Sequence, residues 1–169
     1  MTYSATVYFD VARTDFAEPS AATLALRHAI ESRCPIGIHP NNTAFVDPRT
    51  HFPADSISNL ACIDLTDQPG SETAEYLLSP LDFVVPPPVS LPQRYSDRMS
   101  LVSDCLSVCL GELPETPVYF IVTLCDECDS TAEMTLSALS EKLASAWNAN
   151  GIAGTLVRVL ADLSPHRNG

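Results

Sequence analysis

Lysine is nearly missing from this chain. Lys142 stands alone beside eight arginines, against 21 aspartates and glutamates, for a formal charge of −12 over 169 residues. A surface so poor in cations repels a phosphate backbone and an anionic bilayer, so neither nucleic-acid binding nor membrane docking is expected. No apolar run approaches membrane-spanning length, and Met1-Thr2-Tyr3-Ser4-Ala5-Thr6 offers neither a basic head nor a signal-type stretch. A cytoplasmic protein is therefore expected, and the sequon-like Asn41-Asn42-Thr43 carries no weight in that setting. Glycine is scarce, six in all, which leaves little material for phosphate-cradling loops. Six cysteines are too sparse for a disulfide scaffold and should be thiols or metal ligands.

With 46% hydrophobic and 18% charged residues the composition is that of a folded protein. A chain of this length buries roughly two thirds of its unfolded surface in one core. No repeat or convincing linker divides it, so residues 1–169 read as a single globular domain.

Periodicity supplies the elements. Ser4 to Ala12 alternates, with Ala5, Val7, Phe9 and Val11 opposite Thr6, Tyr8 and Asp10, as in a strand with one buried face. Glu18-Pro19-Ser20 opens a helix that carries Ala22, Ala25, Leu26, Ala29 and Ile30 at helical spacing and stops at Cys34-Pro35. Cys34 to Asp55, with four prolines, reads as a long loop holding a short extended piece at Ala44 to Val46. Ile57 to Leu65 reads as a strand, Asp67 to Gly70 as a turn, Glu72 to Leu78 as one or two helical turns and Phe83 to Pro92 as polyproline-like chain. A second helix runs from Ser96 to a stop at Gly111, and Val118 to Leu124 forms the next strand. Ser130 and Glu133 have capping-box spacing, which predicts a third helix from Ser130 past Trp147 to Asn150-Gly151, before a last strand at Thr155 to Leu160. Strand, helix and strand here fit a crossover between parallel neighbours, or a split version of it. The fold class these periodicities allow most easily is α+β, a two-layer sandwich with one mixed sheet of four to five strands packed by two or three helices.

Cys125-Asp126-Glu127-Cys128 is the one motif with a chemical precedent. A redox dithiol needs its first sulfur at a helix N-terminus, whereas a helix starting at Ser130 leaves both sulfurs upstream, and the acids around them raise thiol pKa. With Cys105 and Cys109 the pair gives C-x3-C-x15-C-x2-C, a spacing that can close a tetrahedral zinc site. Against it, the pair encloses two acids, and Cys105 and Cys109 sit among Val102, Leu106 and Leu110 as small buried hydrophobes do. No metal or cofactor is expected. His39, Asn41, Asn42, Asp47, Arg49 and His51 crowd one loop and could assemble a small enzyme's acid–base site, but turn chemistry alone enriches loops in these residues.

Charge asymmetry carries the functional expectation. From Met99 to Val157 there are Asp104, Glu112, Glu115, Asp126, Glu127, Asp129, Glu133 and Glu141, with Lys142 the sole base. The expected protein is a non-catalytic acidic binder, of the inhibitor or immunity type, that engages a basic protein partner through Glu112, Glu115, Asp126, Glu127, Asp129 and Glu133. The alternatives are a small enzyme using the His39–His51 loop, or a zinc-stabilised interaction domain.

Overall fold

The computed structural model describes residues 4–34, 37–41, 46–66, 92–123, 127–144 and 152–162, with the backbone alone at 4, 37–41, 66, 92–99 and 144. The strands are β1 (Ser4–Asp10), β2 (Gly37–Asn41), β3 (Leu60–Thr66), β4 (Val118–Thr123), β5 (Ser130–Thr135) and β6 (Thr155–Leu160). The helices are α1 (Pro19–Glu31), the single turn α2 (Pro48–His51), α3 (Pro92–Glu112) and α4 (Leu136–Ala144). One mixed sheet has the order β2-β3-β1-β4-β6-β5, antiparallel throughout except for the parallel pair β5 and β6. The α+β two-layer sandwich follows as expected, and the sheet is extended by the edge strands β2 and β5.

Strand alternation sorts the core into two sides. Ala5, Val7 and Phe9 of β1, Ala61, Ile63 and Leu65 of β3, Val118, Phe120 and Val122 of β4, and Val157 and Val159 of β6 point to an inner face. There they meet Ala22, Leu26 and Ile30 of α1, Val102, Cys105, Leu106 and Cys109 of α3, and Leu139 and Leu143 of α4. Each large apolar side chain removed from water here contributes about 1.5–3 kcal/mol, so this side dominates stability. The outer residues of the central strands are buried as well, Tyr8, Tyr119, Ile121 and Leu156 forming a smaller core beneath Val46, Phe52 and Ile57. The first strand thus buries both faces rather than one, as a central position requires.

Residues Ser130–Thr135 correct the expected third helix. They form an edge strand, with Met134 on the helical side and Glu133 facing Arg158 on the other. Neither half of the apparent capping box caps anything: the Ser130 hydroxyl meets that of Thr155 at 2.8 Å, and Glu133 pairs with Arg158. The helix begins at Leu136, and Thr135 accepts from the Ala138 N–H at 3.3 Å in the role assigned to Ser130. Pairing along β6 outweighs a local cap whose contribution is about 1 kcal/mol. The crossover strand is therefore β5, while β4 runs antiparallel to β6.

Smaller differences have local causes. α3 begins at Pro92, ahead of Ser96, and passes Gly111, which keeps a negative φ and so is no left-handed cap. The expected loop includes strand β2 and turn α2, the latter capped by Asp47. The turn at 67–70, the segments 72–78 and 83–91, most of the 44–46 piece and the 145–151 helix end lie outside the described residues.

Two glycines respond oppositely to a methyl group. Gly154 has φ 80°, and a Cβ there would lie 2.5 Å from an Asp129 carboxylate oxygen, whereas nothing stands within 4 Å of one at Gly111. Gly154→Ala should destabilise by more than about 1 kcal/mol, and Gly111→Ala should stabilise by about 0.5–1 kcal/mol, in chemical denaturation.

Candidate functional site

On the outer face a row of register partners crosses five strands: Cys62, Tyr8, Tyr119, Arg158 and Glu133. Residues 46–59 lie over the middle of this row. The Phe52 ring sits 5.3 Å from that of Tyr119, tilted by 43°. Asp55 then clamps the segment to the sheet: its carboxylate accepts from the Tyr119 hydroxyl and from Arg158 Nε at 2.9 Å and Nη2 at 3.2 Å. Arg13 donates to the Asp55 carbonyl, and buried Asp10 accepts from the N–H groups of Asn59 at 2.9 Å and Ser58 at 3.3 Å. Beyond the clamp Arg158 reaches Glu133 at 3.4 Å, with Glu133 57% exposed at the sheet margin.

The clamp fixes its own protonation. Burial pushes the Asp55 carboxyl up, but hydrogen bonds from Arg158 and Tyr119 and the positive charge of Arg158 and Arg13 outweigh it and hold the group below the usual carboxylate range. Burial, then the bond to Asp55, raises the Tyr119 phenol. Near neutrality the set is carboxylate, phenol and guanidinium, each bonded to another member, so it holds the segment and offers no free base. Between residues 51–55 and the Arg158–Glu133 pair lies an open pocket of about 390 Å³.

The six carboxylates expected to act together are divided. Glu112 ends α3, 3.3 Å from Arg33, and Glu115 follows on the loop into β4. Glu127 and Asp129 lie beyond the other end of β4, roughly 17–20 Å away at the rise of an extended strand. Glu127, Asp129 and Glu133 all lie along β5 and its approach and are exposed, with Glu133, level with Tyr119 through Arg158, about 13 Å further along than Asp129 at the rise of an extended strand. Asp126 lies outside the described residues. The acids are thus strung out rather than gathered in one cluster, with Arg33 beside Glu112 and Arg158 beside Glu133.

The sulfurs do not converge. Cys105 and Cys109 are buried on the helical side of the sheet, while Cys128 packs against the outer core. The sheet separates them, which removes the four-cysteine zinc site, and no metal-binding group occurs among the described residues; Cys125 lies outside those residues. The hydrogen bond between Cys105 and Cys109, then burial, raises the Cys105 thiol, and burial raises Cys34 and pushes Cys62 up to about 12. In the His39–His51 loop, Asp47 and Arg49 are spent on each other through contacts of 2.8 to 3.1 Å, and His51 is exposed. The side chains of His39 and Asn41, and all of Asn42, lie outside the described residues.

Sequence reasoning missed Asp55, Tyr119 and Arg158. The signal was Arg158 itself, a lone cation in the apolar strand Thr155–Leu160, since a charge in such a strand needs a partner. Compared with protein-family models, curated proteins and solved structures, the chain matches none.

Asp55→Asn should lower stability by about 1–3 kcal/mol at pH 7 by removing charged hydrogen bonds. A carboxyl held below its unfolded value stabilises above about pH 4 and loses that effect as pH falls. The gap between wild type and variant in urea titrations should therefore narrow below about pH 4.

Proposed function

We propose that the protein is a non-catalytic binding protein whose acidic edge engages a basic protein partner, as an inhibitor or immunity-type protein does. The observation that carries this reading is the grouping of Glu127, Asp129 and Glu133, all exposed, along one margin of a chain with net charge −12. Neither Glu127 nor Asp129 is ion-paired to a described side chain, and Glu133 meets Arg158 through one oxygen only. Such an edge accelerates encounter with a cationic partner and orients it. An enzymatic reading finds less support, because Asp55, Tyr119 and Arg158 are bonded to one another and Asp47 and Arg49 close on themselves, which leaves exposed His51 at the pocket rim without an unspent acid from either set.

Cytochrome c, a small basic folded protein, serves as a probe at low ionic strength. Glu127→Gln/Asp129→Asn/Glu133→Gln should weaken its binding about tenfold, at up to 1 kcal/mol per exposed charge, and flatten the salt dependence. Glu112→Gln/Glu115→Gln should change it less than about twofold. Equal losses in the two variants would return the charge to a general role in solubility.

A further inference from the structure

We propose that β5 is a docking strand, to which an extended basic segment of another protein adds as a further strand of the sheet. This deepens the acidic-edge reading and rests on it. Among the described residues β5 stands last in the strand order and pairs with β6 alone. The Asp129 and Ser130 N–H groups both donate to the Gly154 carbonyl, at 2.8 and 3.3 Å, and the Thr155 N–H goes to the Ile152 carbonyl, so in the parallel Ser130–Thr155 register it is Ser130 that faces β6. Alternation along a strand then turns the N–H and C=O groups of Thr131 and Glu133 to the opposite, open side. Both residues are exposed. Their backbone groups form a template of the kind that captures extended peptides.

The two margins of the sheet differ in how they are guarded. β2 carries Pro40, which deletes a donor from that strand. β5 (STAEMT) has neither proline nor lysine, the usual means of blunting an edge. What it has is negative charge: Glu133 within the strand, with Glu127 and Asp129 leading into it.

The outer face selects the occupant. A neighbouring strand runs about 4.8 Å from β5, and its residue beside Glu133 projects to the same side as Glu133. That side holds the pocket of about 390 Å³ bounded by His51, Phe52, Asp55, Glu133 and Arg158. A lysine or arginine suits its outer rim, with the charged tip at the Glu133 oxygen that Arg158 leaves open and the aliphatic stem directed toward Phe52. A second copy of this chain would bring another −12 and the same three acids to the edge, so the occupant is a different, cationic chain.

The probe is an eight-residue peptide of alternating lysine and threonine, compared with two versions N-methylated on the lysines or on the threonines. All three carry the same charge, but only one methylated series blocks the amides that face β5. The parent should bind, and the Thr131 and Glu133 amides should gain about tenfold protection from hydrogen exchange. One methylated peptide should bind like the parent and the other at least about tenfold more weakly. Thr131→Pro, which removes an outward donor, should abolish binding, while Thr131→Val retains it. If Thr131→Pro fails to fold, the methylated pair decides. Equal binding of the two methylated peptides, with loss in the Glu127→Gln/Asp129→Asn/Glu133→Gln variant, would overturn strand addition and leave the acidic edge standing. Indifference to both changes would overturn both readings. A wild-type dimer that Thr131→Pro dissociates would assign the edge to a second copy and overturn the proposal.

Discussion

The outer side of the sheet is built around the Asp55 carboxylate. A loop rich in proline, asparagine and aspartate has little reason of its own to lie on a sheet. Here Phe52 supplies contact area, Asp10 holds the far end at residues 58–59, and Asp55 joins the loop to β4 and β6 at once. The partners form a chain, since Arg158 is itself shared with Glu133. Burying an arginine and a carboxylate together is tolerable only when both find good geometry, and the two-nitrogen contact from Arg158 provides it. The loop, the central strands and the acidic margin are thereby mechanically one unit.

That arrangement explains how charge is distributed. A chain with net charge −12 has few cations to place, and the structure uses Arg13 and Arg158 inside the clamp, Arg33 beside Glu112 and Arg49 beside Asp47. Among the acids beside β5, Glu133 keeps Arg158 as a neighbour, while Glu127 and Asp129 have no arginine partner among the described residues.

How far the molecule was legible from its residues depends on which forces set each element. Strands β1, β4 and β6 and helix α1 emerged nearly residue for residue, because alternation in Val7-Tyr8-Phe9 or Val118 to Val122 and the spacing of Ala22, Leu26 and Ile30 directly report burial. Segment 130–135 misled because Ser130 and Glu133 mimic a local signal, while the deciding interactions are cross-strand, to Thr155 and Arg158, 25 positions away in sequence. The placement of the acids was partly legible for the same reason: Glu127, Asp129 and Glu133 follow one another along β5 and its approach. Glu112 and Glu115 are close in sequence to β4 but at its other end. The Asp55 clamp was invisible because Asp55, Tyr119 and Arg158 are separated by 64 and 103 positions in its two main contacts.

Cys128 gives the edge a practical use. Among the described cysteines Cys34, Cys62, Cys105 and Cys109 are buried, whereas Cys128 is half-exposed and its thiol donates to the Ser130 carbonyl at 3.3 Å, at the first residue of β5. A maleimide dye reaches a partly open sulfur ahead of sealed ones, so a fluorophore attached there would sit beside the strand and report its surroundings directly.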